Sequence, residues 1–151
     1  TTGDPDVGQP TDECVVALLE PAESDRDANL AAGLRIGQLY AGPVYFDDDW
    51  ILERNARQFD RCFHPEGATA QLIGIVTSSP RSEALRGIDV PALVIHGDID
   101  PLVTLSGGER TAECLRGSEF LVLENMGHDV PRHYWATIIE HVTALAARAN
   151  A

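Results

Sequence analysis

Lysine is missing from this chain. All 11 basic residues are Arg, set against 24 Asp and Glu, for a formal charge of -13. Such a surface repels nucleic acid and anionic membranes, so neither is expected as a partner. The acidic excess reads as solubility with a coding bias toward Arg, not as an acidic interaction surface. Cysteine is scarce: Cys14, Cys62 and Cys114 lie far apart with no CxxC pair. That argues against a disulfide framework and predicts free thiols in a reducing, cytoplasmic compartment, the alternative being an extracellular protein with few disulfides. No apolar run nears the roughly eighteen residues of a membrane span, and no signal-peptide pattern opens the chain. The first residue is Thr1 and not Met, so the polypeptide is expected to have been processed, cut or built to begin there. No Ser or Cys has Gly both two residues before and two residues after it; Ser106 comes nearest, with Gly108 after but Thr104 before, so a Gly-x-Ser-x-Gly nucleophile turn is lacking as well.

What is present is one domain's length of sequence, 151 residues of which 44% are hydrophobic. Residues 1–10 are rich in turn formers and predict loop. Thr11 or Asp12 caps a helix carrying Cys14, Val15, Val16, Leu18 and Leu19, stopped by Pro21. A second helix is predicted between Ser24 and Gly42, with Gly33 and Gly37 inside it; small residues there permit another element to approach closely. Tyr40 to Phe46 reads as an aromatic loop. Asp47, Asp48 and Asp49 then precede a helix with Trp50, Ile51, Ala56 and Phe59. Three adjacent carboxylates are better explained as favouring that helix's N-terminal dipole than as a metal site, and no metal is assigned. Thr69 to Val76 predicts a helix capped by Thr69.

The second half has a different grammar. Ala92-Leu93-Val94-Ile95 and Phe120-Leu121-Val122-Leu123 are apolar runs without alternation, the pattern of parallel strands covered on both faces. Between them Ser106 and Glu109 fit a capping box. From Arg132 to Arg148, Trp135, Ile138, Ile139, Val142, Leu145 and Ala146 recur at helical spacing. The order is strand, helix, strand, helix, a βαβ unit of a parallel sheet. Each strand ends in a chemically loaded turn: His96-Gly97-Asp98-Ile99-Asp100-Pro101 after the first, Gly127-His128 after the second. Groups at such strand ends converge in open parallel sheets.

The stretch from Val90 to Val103, followed by Glu124 to Pro131, resembles the C-terminal part of α/β-hydrolase esterases. The resemblance implies an α/β fold in which Asp100, in the Gly-x-x-Asp-Pro turn, is the triad acid and His128 the triad base. Their separation, 128 - 100 = 28 residues, suits one helix and one strand. Within the family the chain looks nearest to methylesterases of polyketide-type esters. Residues 1–67 would then form a loop and helical cap segment, and 68–151 the C-terminal part of the core. Tyr40, Tyr45, Phe46 and Trp50 become candidates to line an apolar substrate pocket, with no cofactor required.

The reading implied is a carboxylic-ester hydrolase fragment whose substrate is a small-molecule ester. It supplies the acid and base of a Ser-His-Asp triad, with the nucleophile absent from this chain, and alone it is expected to be inactive. Alternatives on the same fold are epoxide hydrolase, dehalogenase or haloperoxidase-like chemistry; outside it stands a non-catalytic binding or assembly module. Two strands cannot bury both faces of a parallel sheet. The chain is therefore expected to pair with an N-terminal half of the hydrolase, or to self-associate.

Overall fold

The two apolar runs become a parallel pair, β1 (Leu93–Gly97) and β2 (Glu119–Leu123), in register from Leu93 opposite Glu119 to Gly97 opposite Leu123. A computed structural model describes residues 1–149. Before the sheet come five helices: α1 (Asp12–Leu19), α2 (Arg26–Ala41), α3 (Asp48–Arg61), α4 (Pro65–Thr77) and α5 (Ser82–Arg86). Helix α6 (Leu105–Cys114) joins the strands, and a 3-10 turn at Arg132–Tyr134 leads into α7 (Trp135–Ala149). None of these helices is long and apolar enough to cross a membrane.

Side-chain caps set the starts of the first three helices. Thr11 Oγ1 accepts the Cys14 N–H, Asp25 Oδ1 that of Ala28 and Asp47 Oδ1 that of Trp50, satisfying donors that a helix N-terminus leaves free. Helices α2 and α3 lie against each other where Gly33 faces Asn55 and Gly37 faces Ile51. The small residues of α2 thus serve close approach, as the sequence suggests.

Three local expectations are corrected. Helix α4 begins at Pro65, not after Thr69: proline is preorganised for the first helical position, and the Thr69 hydroxyl instead bonds back to the Pro65 carbonyl. Ser106 does not cap α6. Thr104 holds the cap position, its hydroxyl 3.4 Å from that of Ser106 and not bonded to a helix N–H, while Ser106, inside the helix, accepts the Gly8 N–H at 3.0 Å. Tyr40 lies in the last turn of α2 and not in a loop, because the helix runs to Ala41 before Gly42 ends it.

Residues 1–10 are stitched to α5 and α6. Thr2 is fully buried, its carbonyl accepts the Arg81 N–H at 2.8 Å, and Arg110 reaches both Asp4 and Asp6. The hydrophobic core is small: Cys14, Ala17, Ile51, Cys114, Leu123 and Met126 are its buried members. The strands are only half covered, and Val122 is exposed. The chain exposes 9463 Å², whereas a closed monomer of this mass exposes about 7,500 Å². Large apolar side chains are among the exposed ones, including Ile73, Ile75 and Val76 on α4 and Ile139 and Val142 on α7.

Candidate active site

Asp100 and His128 meet at the carboxyl ends of β1 and β2. His128 Nδ1 lies 2.9 Å from Asp100 Oδ2. A carboxylate can only accept, so Nδ1 carries the hydrogen and Nε2 is left with its lone pair. The other carboxylate oxygen, Oδ1, accepts the N–H groups of Leu102 and Val103, each at 2.9 Å. Asp100 is 8% exposed, while the His128 side chain is 42% exposed. An oriented buried acid behind an accessible imidazole is thereby built from one strand end and the next.

The charges follow the geometry. Burial pushes the Asp100 carboxyl upward, but the His128 bond and the two main-chain donors outweigh it, leaving the group below its ordinary value. The hydrogen bond to Asp100 raises the His128 imidazole above its usual 6.5; burial opposes this, and the charges of Asp100 and Asp129 add to the rise.

Two glycines make the convergence possible. A Cβ on Gly97 would stand 2.0 Å from the Met126 carbonyl oxygen, and one on Gly127 would stand 2.1 Å from that of Tyr40. The His loop therefore presses on the end of β1 from one direction and on the end of α2 from another. The Gly127 and His128 N–H groups donate to Ala41 and Tyr40 carbonyls at 3.0 and 2.7 Å, partners which the last turn of a helix otherwise lacks. Asn125 takes a left-handed conformation at φ 57 to turn the chain out of β2, and the Tyr134 hydroxyl bonds the Glu124 carbonyl at 2.7 Å.

His96, near the end of β1, has a largely buried side chain. Its Nε2–H donates to the Val103 carbonyl at 2.7 Å, holding the turn whose N–H groups grip Asp100. Asp98, exposed on the same turn, does not meet His128 in a hydrogen bond or ion pair among the described residues.

The four aromatic candidates lie around the same loop. Tyr40 meets His128 edge-on, with 6.4 Å between ring centroids. Tyr45 stacks on His133 at 4.1 Å, Trp50 meets Trp135 edge-on at 6.1 Å, and Phe46 rests against Gly37. Tyr40 lines a cleft of about 360 Å³ between α2 and α3. Tyr45, Phe46 and Trp50 line a second of about 200 Å³. Neither is lined by Asp100 or His128, although Asp129 borders both. Arg54, which no motif singles out, borders both too; its Nη2 donates to Asp129 Oδ2 at 3.3 Å.

With the geometry in place, comparison with known proteins decides the fold. The family described as TAP-like protein matches residues 73–147, a span that holds both strands, Asp100 and His128. Among solved structures, the esterase RhEst1 from Rhodococcus sp. ECU1013 superposes with a TM-score of 0.63 at 20% identity, over 93% of this chain and 48% of its own. The meta-cleavage product hydrolase CumD from Pseudomonas fluorescens IP01 gives 0.67 at 18%, over 95% and 53%. A thermophilic esterase from Thermogutta terrifontis gives 0.60 at 21%, over 91% and 53%. This is the C-terminal portion of an α/β-hydrolase fold. The chain spans about half the length of these hydrolases. No curated protein matches it in sequence. At such identities the likeness fixes the α/β-hydrolase architecture, and the chemistry must be argued from the site.

Proposed function

We propose that this chain supplies the acid and the base of a Ser-His-Asp triad to a carboxylic-ester hydrolase. One contact carries the reading: the 2.9 Å bond from His128 Nδ1 to a buried Asp100 whose second oxygen is already held by two main-chain donors. Neutral His128 takes a proton at Nε2 as a serine Oγ attacks the ester carbonyl, and Asp100 stabilises the imidazolium that forms. The same proton passes to the departing alkoxide as the carbon–oxygen bond breaks. Water, deprotonated by His128 in turn, then releases the acid from the acyl-enzyme.

The serine and the oxyanion donors belong to polypeptide outside this chain, an N-terminal half of the hydrolase; self-association would cover the apolar surface without supplying them. The half-covered sheet and the excess exposed area support such a partner. Residues 1–67 act as the loop and cap segment, 68–151 as core, and Tyr40, Tyr45, Phe46 and Trp50 as the apolar side of the substrate pocket. A polyketide-type methyl ester suits those rings, and a cytoplasmic setting suits three unpaired cysteines.

The test combines this chain with the polypeptide encoded immediately upstream of Thr1. A serine-directed fluorophosphonate is expected to label a Gly-x-Ser-x-Gly serine there. Methyl-ester hydrolysis by the pair should fall by about six orders of magnitude in His128→Ala. Hydrolysis indifferent to that substitution overturns the reading.

A further inference from the structure

The smaller cavity, beside the His128 loop, is bordered by three aromatic residues, Tyr45, Phe46 and Trp50, and by Arg54, Arg132 and His133. The Arg132 guanidinium carbon lies 4.1 Å from the Trp50 ring centroid and 5.7 Å from that of Trp135. In a chain with 24 acidic side chains, the Arg132 guanidinium nevertheless makes no ion pair and no hydrogen bond among the described residues; only its carbonyl is engaged, by the Trp135 N–H. Arg54 is only partly engaged. It gives Nη2 to Asp129, while its Nε is the one buried side-chain nitrogen or oxygen among the described residues without a partner. The carboxylates bordering the cavity are both in use, Asp129 with Arg54 and Asp47 on the Trp50 N–H. Guanidinium nitrogens without a partner and aromatic side chains therefore gather in one place.

A planar guanidinium held over an indole is preorganised for a forked, two-bond contact with a carboxylate. A cavity of about 200 Å³ has room for a single substituted ring, not for a large polycycle. We propose that it binds an aromatic carboxylate, the ring against Tyr45, Phe46 and Trp50 and the anion on Arg132, with Arg54 as the second cation. Resting on the esterase reading for its biological meaning, the proposal names the substrate class: an aromatic ester that also bears a free carboxylate. Binding itself needs no nucleophile, so it is measured independently of whether the triad works.

The chain has two tryptophans, Trp50 and Trp135, and both flank Arg132. Titrating benzoate into the 15N-labelled 151-residue chain is expected to shift both indole N–H resonances. Its neutral isostere benzamide should bind about tenfold more weakly, the discrimination of one well-placed charge pair. Arg132→Gln should abolish the difference, and Arg132→Lys should retain part of it by keeping the charge. The proposal fails if saturating benzoate moves neither indole, if benzamide binds equally well, or if the preference survives in folded Arg132→Gln. Should Arg132→Gln not fold, the wild-type shifts and the benzoate-to-benzamide ratio decide alone.

Discussion

The loop carrying His128 and the helix α4 are each a short segment between other elements, yet they are held very differently. The loop is fixed from several directions: by the α2 carbonyls, by β1 through Gly97, by Asp100 and by Tyr134. Helix α4 buries no residue and turns Ile73, Ile75 and Val76 outward at 56, 70 and 72% exposure. The site is locally over-determined while the framework around it is under-covered. Precise chemistry here depends on short-range contacts contained in this chain. The apolar side chains of α4 are left uncovered by the rest of the described residues.

The sharpest way to break the contrast is at the acid. Asp100→Asn in the assembled hydrolase is expected to lower kcat by about four orders of magnitude, because the tautomer and the imidazolium lose their support. The pH profile gives a separate readout. Asp100 raises the His128 pKa, so the acid limb of kcat/KM in the native enzyme should lie above pH 6.5. In the variant it should move down toward that value. The same shift stabilises the fold fully below pH 6.5, and this contribution fades as pH rises through the folded-state value. An acid limb that does not move with Asp100→Asn would show that the pair is not coupled.

Glycine-to-alanine exchange compares the two regions directly. Gly127→Ala places a methyl group into the Tyr40 carbonyl, and is expected to cost about 3 kcal/mol, the upper end for overpacking. Gly74→Ala in α4 meets nothing within 4 Å, and should stabilise by about 0.5–1 kcal/mol through helix propensity. Urea unfolding of both variants checks the opposite signs. The smallest effect is expected on the exposed face. Ile75→Asp with Val76→Asp should leave the circular dichroism spectrum intact while reducing self-association in size-exclusion chromatography. A well-folded monomer of the native chain at all concentrations overturns the idea that this surface needs cover.

The same contrast explains what could be read from sequence. Val94 and Val122 sit in unbroken apolar runs, and Asp100 and His128 follow such runs directly, so strand, turn and reactive residue are adjacent in the chain. Periodicity and turn chemistry suffice for that. Ser106 was misleading because its hydroxyl is claimed by Gly8, 98 residues away, which no local rule registers. Thr69 misled because Pro65 starts the helix one turn earlier. Arg54 and His96 were legible only as residue types; their importance lies in the partners that folding brings, Asp129 and the Val103 carbonyl.

The two hydrogen bonds from Gly127 and His128 to the end of α2 make the base and that helix one mechanical unit. A displacement of α2 that opened the space over the sheet would pull on the main chain of His128 itself.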